Sequence, residues 1–564
     1  MKASLASLAA AVGLASLAPA TALACGGFFC SATPVDQQAE RIIFVQEDSD
    51  TVTSYVEIVY QGEPDGFAWV VPVPSVPLLD VWHGGAFNAL DLLTEPQFEL
   101  PWLCLAEAGA FDDADGAPEP APGGEVEVLD RQRVGPFDTA TIESDDPRAL
   151  VEWLRVNDYR ITPAMEPFIA MYTREGLKFL AMKLAPGEET DSIQPIKMTY
   201  DAAAPMVPLR LTSVAAQLEM GVKVWVLGDA RYGATGVPDI TIEDADLRFD
   251  PNTWQTNYLA LVARKVDENG GKGFVTELAG PTAALAQQVR DSFVPEWAGQ
   301  EAIDARDALA ALLDSRPYVT RLYTRLSPEE MDHDPSFARI GGADVANRRV
   351  VPAPDGDADA CGGWGGEAVD ACDFAACGAG GACAEADVGN GQVQAGCACV
   401  DGTLARAGRD PNGALSVGCA DARLNFTAPG LDLGPVAFPD VCAQGDFCGA
   451  NGECVMLNGS PSCRCDAGFV AVPTLDEMGM PVARCVAPVA PLDPRVVAAI
   501  TLREPNLPYP GRTTELADPT QPDDNRRGGG APSAAAGCSA TPGAPALPAW
   551  MLALPLLGLA IRRR

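Results

Sequence analysis

Through its first 350 or so residues the chain alternates apolar and polar positions in the short periods that build strands and helices. Arg41-Ile42-Ile43-Phe44-Val45 is one predicted strand and Thr51 to Gln61 a second, joined by a Glu-Asp-Ser-Asp turn. In the second, Val52, Val56, Ile58 and Tyr60 share one face at period two. Phe67 to Val73 predicts a third strand, limited by Pro72 and Pro74, which cannot donate to a central ladder. Further strands are predicted at Leu177 to Leu184, Ile196 to Tyr200, Leu209 to Ser213, Val222 to Leu227 and Tyr318 to Leu326. Asp146-Pro147 caps and opens a helix through Leu150, Trp153 and Leu154. Apolar residues recurring at three and four predict helices at Thr256 to Asp267, Pro281 to Phe293 and Glu301 to Leu313. Residues 107–125, with six acidic residues, three prolines and no basic residue, predict an acidic surface loop. Residues 25–350 therefore read as an α+β head domain, long enough to divide into two subdomains.

The texture changes after an acidic, glycine-rich linker at 351–371. Cys372, Cys377, Cys383, Cys397, Cys399 and Cys419 form one block, and Cys442, Cys448, Cys454, Cys463, Cys465 and Cys485 a second. Both have a five-residue, glycine-containing gap between the second and third cysteines, then Cys-x-Cys, then a gap of 19 residues. Repeats on this scale use cross-links in place of a core, and spacing alone leaves the pairing open. Close cysteine pairs also suit zinc, but both blocks lack histidine. Residues 420–441 separate the blocks, and 486–536 read as an extended proline-rich stalk.

Both ends carry address labels. Residues 1–24 have Lys2, a short apolar run and Ala22-Leu23-Ala24 before Cys25, so a secretory signal cleaved between Ala24 and Cys25 is expected. A lipoprotein signal is the rival, but such signals place Leu where Ala22 stands. Export makes disulfides the default state of the cysteines. At the other end, 537–564 hold Gly537-Cys538, an apolar run over 546–561 and three terminal arginines. That run is short against the roughly 20 residues of a spanning helix. A retained tail anchor with its arginines in the cytoplasm is one reading. Among 564 residues the net charge is −38, which excludes nucleic acid as the main partner and assigns the acidity to an exposed, repulsive surface.

Three resemblances add to this. Cys25-Gly-Gly-Phe-Phe-Cys30, Pro34-Val35-Asp36-Gln37, Ala39-Glu40-Arg41-Ile42-Ile43-Phe44 and Phe67-Ala68-Trp69-Val70-Val71-Pro72-Val73-Pro74-Ser75 resemble an exported bacterial family catalogued as domain of unknown function 2330. The resemblance covers residues 25–350 and implies almost nothing about activity, since none is established for the family. The cysteine blocks, with Asp466-Ala-Gly468-Phe469, resemble epidermal-growth-factor-like (EGF-like) modules at 372–419 and 442–485. That resemblance implies the pairs Cys372–Cys383, Cys377–Cys397, Cys399–Cys419, Cys442–Cys454, Cys448–Cys463 and Cys465–Cys485. The C-terminus resembles the tripartite sorting signals of myxobacterial surface proteins, which implies processing near Cys538 and anchoring at the cell surface or outer membrane. Of 17 cysteines, Cys25, Cys30, Cys104 and Cys361 then remain, enough for two further bridges in unassigned order.

Chemistry is sparse. The two histidines, His83 and His333, read as surface or packing residues; a Cys104 thiol with His83 as its base is the sharper but weaker reading. No Gly-x-Ser-x-Gly elbow or His-Glu-x-x-His motif is present, and Gly270-Gly-Lys272-Gly reads as a turn after a helix. Asp355, Asp357 and Asp359 have the alternate spacing of a calcium loop, but Ala360 and Gly366 replace its glycine and glutamate, so an acidic linker is the simpler reading. No catalytic residue or cofactor is assigned. The expectation is a surface-anchored, non-enzymatic protein that touches the membrane through its C-terminus and binds a surface polymer or protein, or builds the envelope. The alternative is an exported hydrolase whose Asp/Glu site escapes motif reading.

Overall fold

The computed structural model describes residues 37–57, 67–100, 128–159, 161–189, 192–214, 216–353, 370–389, 391–410, 413–425, 441–443, 447–476 and 479–509. Outside them lie both terminal signals, Ala24, Cys25, Cys30, Cys104, Cys361, Gly537, Cys538, the acidic loop at 107–125 and the calcium candidates Asp355, Asp357 and Asp359. Among the described residues no helix is long and apolar enough to cross a membrane; the 546–561 run is not one of them.

The head is built on an eight-stranded mixed sheet. Its strands lie in the order Asp239–Ile240, Phe274–Pro281, Tyr318–Leu326, Ala216–Gly228, Gln37–Gln46, Thr51–Val56, Ile196–Asp201 and Leu78–Val81. Gln37–Gln46 runs parallel to Ala216–Gly228 and antiparallel to Thr51–Val56. Both faces of this centre are buried, which is why Ile42 to Val45 is continuously apolar. Ile42 and Phe44 enter one core with Val222, Val224 and Val226. Ile43 and Val45 enter the other with Trp225 and Leu227, under helices Gly84–Thr94, Thr282–Asp291 and Gly299–Ser315.

The first core is shared with a four-stranded antiparallel sheet, ordered Ala68–Val73, Lys178–Leu184, Phe137–Ile142 and Val128–Val134. Pro72 sits opposite Phe179 on the edge strand of that sheet, where its missing N–H costs no bond on the open side. One expected strand is a helix. Leu209–Thr212 forms a single turn, and Asp334 accepts from the Arg210 backbone N–H at 2.9 Å and from its Nε at 2.7 Å. The strand-like alternation of Leu209 and Leu211 records burial in the core, not an extended backbone.

The C-terminal region is rich in disulfides. The structure pairs Cys372–Cys383, Cys377–Cys397, Cys399–Cys419, Cys442–Cys454, Cys448–Cys463 and Cys465–Cys485, the six pairs that the module resemblance implies. Each block contributes two hairpins, and the blocks interleave. The hairpin of Gly381–Asp387 with Val393–Cys399 shares a sheet with that of Val470–Leu475 and Pro481–Val486. The hairpin of Thr403–Arg409 with Leu415–Asp421 shares one with that of Gly452–Leu457 and Ser460–Cys465. The joins are equivalent: Cys397 meets Ala471, and Cys463 meets Ala405, the same positions of opposite blocks. Backbone bonds repeat as well, Cys419 N–H donating to the Cys377 carbonyl and Cys485 N–H to that of Cys448, both at 2.9 Å. The repeated sequence thus packs about a local two-fold relation, around a core of cysteine and alanine.

This disulfide unit sits against the head. Arg264 donates to the carbonyls of Cys372 and Asp373. Residues 500–509 then return as a strap, with Leu507 fully buried in the head's first core. Arg503 donates to the Gly270 carbonyl at 2.9 Å and pairs with Asp332, while Arg423 pairs with Glu504. The stalk expected from residue 486 therefore does not begin there. Proline in this stretch accompanies a packed strap and the short helix Pro494–Ala499, which Asp493 caps. Gly270 and Gly271 both hold positive φ after the Tyr258–Glu268 helix, as the expected turn requires.

Candidate functional site

Three clusters of charge and one cleft stand out among the described residues. The first cluster lies beneath the Gly84–Thr94 helix, where neighbouring strands bring Arg41, Lys223 and Arg321 to one carboxylate, Asp91. Lys223 Nζ lies 2.8 Å from Asp91 Oδ2, Arg321 Nη1 2.6 Å from Oδ1, and Arg41 Nη1 3.3 Å from Oδ2. Glu57 pairs with Arg41, and Glu277 pairs with Arg321 while accepting from the Tyr258 hydroxyl at 2.8 Å. Three cations thus face three carboxylates. Burial alone would raise the Asp91 carboxyl, but Lys223, Arg321 and Arg41 hold it well below the usual carboxylate range. Thr94 accepts from Trp225 Nε1 at 2.9 Å and from Arg321 Nη1 at 3.0 Å. This closed, charge-balanced set holds the helix on the sheet.

A second cluster joins the helices of the head. Asp334, bound to Arg210, accepts from the Tyr172 hydroxyl at 3.0 Å, and Arg210 reaches Glu175 at 2.7 Å. His333 Nδ1 lies 3.2 Å from Asp332 Oδ1, and His83 precedes the Gly84–Thr94 helix without capping it through its side chain. Cys104 lies outside the described residues, so the thiol–imidazole reading gains no partner geometry.

The third cluster lies where the strap and the disulfide unit meet the head. It gathers the carboxyl groups of Glu219, Asp267, Glu329 and Glu330 from three separate segments. Burial raises all four, and their mutual charge raises Asp267, Glu329 and Glu330 further. Glu330 is pushed up to about 8, although the Ser327 N–H bonds its Oε2 at 2.9 Å and Arg503 lies near. Asp267 Oδ1 and Glu330 Oε1 are buried without a hydrogen-bond partner, and the charge of Glu330 adds to the burial that raises Asp267. Arg325 is spent on backbone, donating to the carbonyls of Glu219 at 3.0 Å and Leu259 at 3.2 Å. Among the described residues no three His, Cys, Asp or Glu side chains form a set that could hold a metal ion.

Beside this cluster opens a cleft of about 280 Å³ between the head and the disulfide unit. Gln217, Glu219, Gln255 and Arg325 line it from the head, and Gln394, Arg406 and Ser416 from the disulfide unit. It combines the features of a ligand site: concavity, a junction of two bodies, and a perturbed acid at its edge. Sequence reading missed it because its lining comes from segments up to about 250 residues apart, none bearing a motif. The one local signal is conformational: Glu219 holds φ of +54°, an uncommon backbone for glutamate and invisible in sequence.

Comparison with known proteins is brief. A family model described as "Uncharacterized protein conserved in bacteria (DUF2330)" matches residues 19–338. No curated protein and no solved structure matches the chain.

Proposed function

From the premise that the chain belongs to the uncharacterised bacterial family DUF2330, we propose that it is an exported, surface-anchored binding protein. Its ligand site is the cleft between the head and the disulfide unit, and that cleft is the observation that carries the reading. Six disulfides suit an oxidising location. The leader-like N-terminus and the sorting-like C-terminus suit export and anchoring. The cysteine blocks act as EGF-like modules that form one wall of the site. The acidic exterior keeps neighbouring copies apart.

The test is ligand-dependent protection of the purified protein against thermal unfolding, with Ala395→Trp as the variant that fills the cleft. A ligand should raise the melting temperature of the parent and leave that of the variant unchanged. Equal protection of both would remove the cleft from the reading. One observation favours the hydrolase alternative: Glu219 borders the cleft, and burial raises its carboxyl above the usual range, the direction a general acid requires. Hydrolysis of a glycan or ester that is lost in Glu219→Gln would establish it.

A further inference from the structure

We infer that the cleft takes a neutral carbohydrate. The inference rests on the cleft being the binding site, as proposed above. Its charged lining groups are three basic and three acidic, and most already bond within the protein. Arg325, Arg406 and Arg409 balance Glu219, Asp250 and Asp410. Arg325 is held by two backbone carbonyls, and Arg409 donates to the Gly413 carbonyl at 2.9 Å. Asp410 accepts from the Ala414 N–H at 2.9 Å, and Asp250 from the Asn252 N–H and the Thr253 hydroxyl at 2.9 Å. A charged ligand would compete with these bonds in a partly desolvated site.

The groups left open are neutral. Gln217, Gln255, Gln394, Thr256 and Ser416 line the cleft from several strands, and their side chains point no hydrogen bond at described protein atoms. Each amide offers donors and an acceptor together, and each hydroxyl does the same. A sugar hydroxyl is the complementary group, since it donates and accepts at once and forms such pairs without desolvating an ion. Leu218, Phe374 and Pro473 supply apolar surface for the C–H faces of a ring. The volume, about 280 Å³, is just below that of sites enclosing drug-sized molecules, so the cleft fits the end of a short oligosaccharide.

The test is calorimetric titration of the purified protein with neutral glucan, mannan, galactan and chitin oligosaccharides, and with acidic and basic peptides. One neutral series should bind, with an affinity that changes less than about twofold between low and high salt. Gln217→Ala with Gln255→Ala should weaken it about tenfold or more without lowering the melting temperature. No binding of any neutral series would overturn the carbohydrate class. A charged peptide that binds and is lost in Ala395→Trp would also overturn that class, yet leave the cleft as the site. A neutral sugar that binds the parent, the glutamine variant and Ala395→Trp equally would overturn the cleft itself.

Discussion

The head and the disulfide unit hold their folds by opposite means. The head buries Trp225, Phe44, Phe87 and Phe137 on both sides of sheet strands, and spends its buried charge in balanced networks. Among its described residues the disulfide unit buries no aromatic ring; its centre is Cys377, Cys397, Cys419, Cys448, Cys463 and Cys485 with alanines between them, and small satellite clusters of Val470 with Val472 and of Leu404 with Leu457 lie at its sides. A small module that cannot bury enough apolar surface to offset chain entropy uses covalent cross-links instead. The difference also sets what each part tolerates. The head responds to changes of volume and charge, the disulfide unit to redox conditions.

The comparison can be broken most sharply in the head. Arg321→Ala leaves buried Glu277 without a cation and takes one of three from Asp91, and should destabilise the head by about 3–5 kcal/mol, read by urea unfolding followed at tryptophan. A loss under about 1 kcal/mol would mean that water reaches the network. Next in size is Cys377→Ser with Cys397→Ser, which should cost the disulfide unit about 2–5 kcal/mol. Because that bridge lies in the shared core of both blocks, calorimetry should show the two blocks weaken together while the head's transition stays. Separate melting of the 442–485 block would show that the interleaved sheets are not cooperative.

The smallest effect concerns the junction. Glu330, at about 8, holds a proton in the folded chain that the unfolded chain releases near pH ~4.3. Its contribution is therefore full below about pH 4, declines as pH rises toward 8, and is flat above. The melting temperature should fall by a few degrees over that range, and Glu330→Gln should flatten the profile. His333→Asn, which removes the one histidine beside the cluster, should not. A wild-type profile retained in Glu330→Gln would assign the dependence elsewhere.

Much of the head was legible because its strands obey simple periods. Ile42 to Val45, Val222 to Leu227 and Tyr318 to Leu326 are strands in the structure, and the Asp146-Pro147 cap opens a helix at Pro147. Leu209 to Ser213 misled because two leucines can be buried from a helical turn anchored by Asp334 as well as from a strand. Within each block, spacing through a resemblance led to the disulfides. The exchange of hairpins between blocks was not legible, since it rests on contacts such as Cys397 with Ala471 that no local pattern encodes. The cleft was hidden for the same reason. Gln217 and Gln255 are ordinary surface residues of the head until the disulfide unit docks opposite them.

The strap has a mechanical consequence. The described chain runs out at Tyr509, just after Leu507 has plugged into the head and Arg503 has gripped Asp332. Leu507 and Arg503 thus tie the segment after the disulfide unit back onto the head, so the two units are fastened at both ends of the 370–509 stretch and not only where the chain enters it.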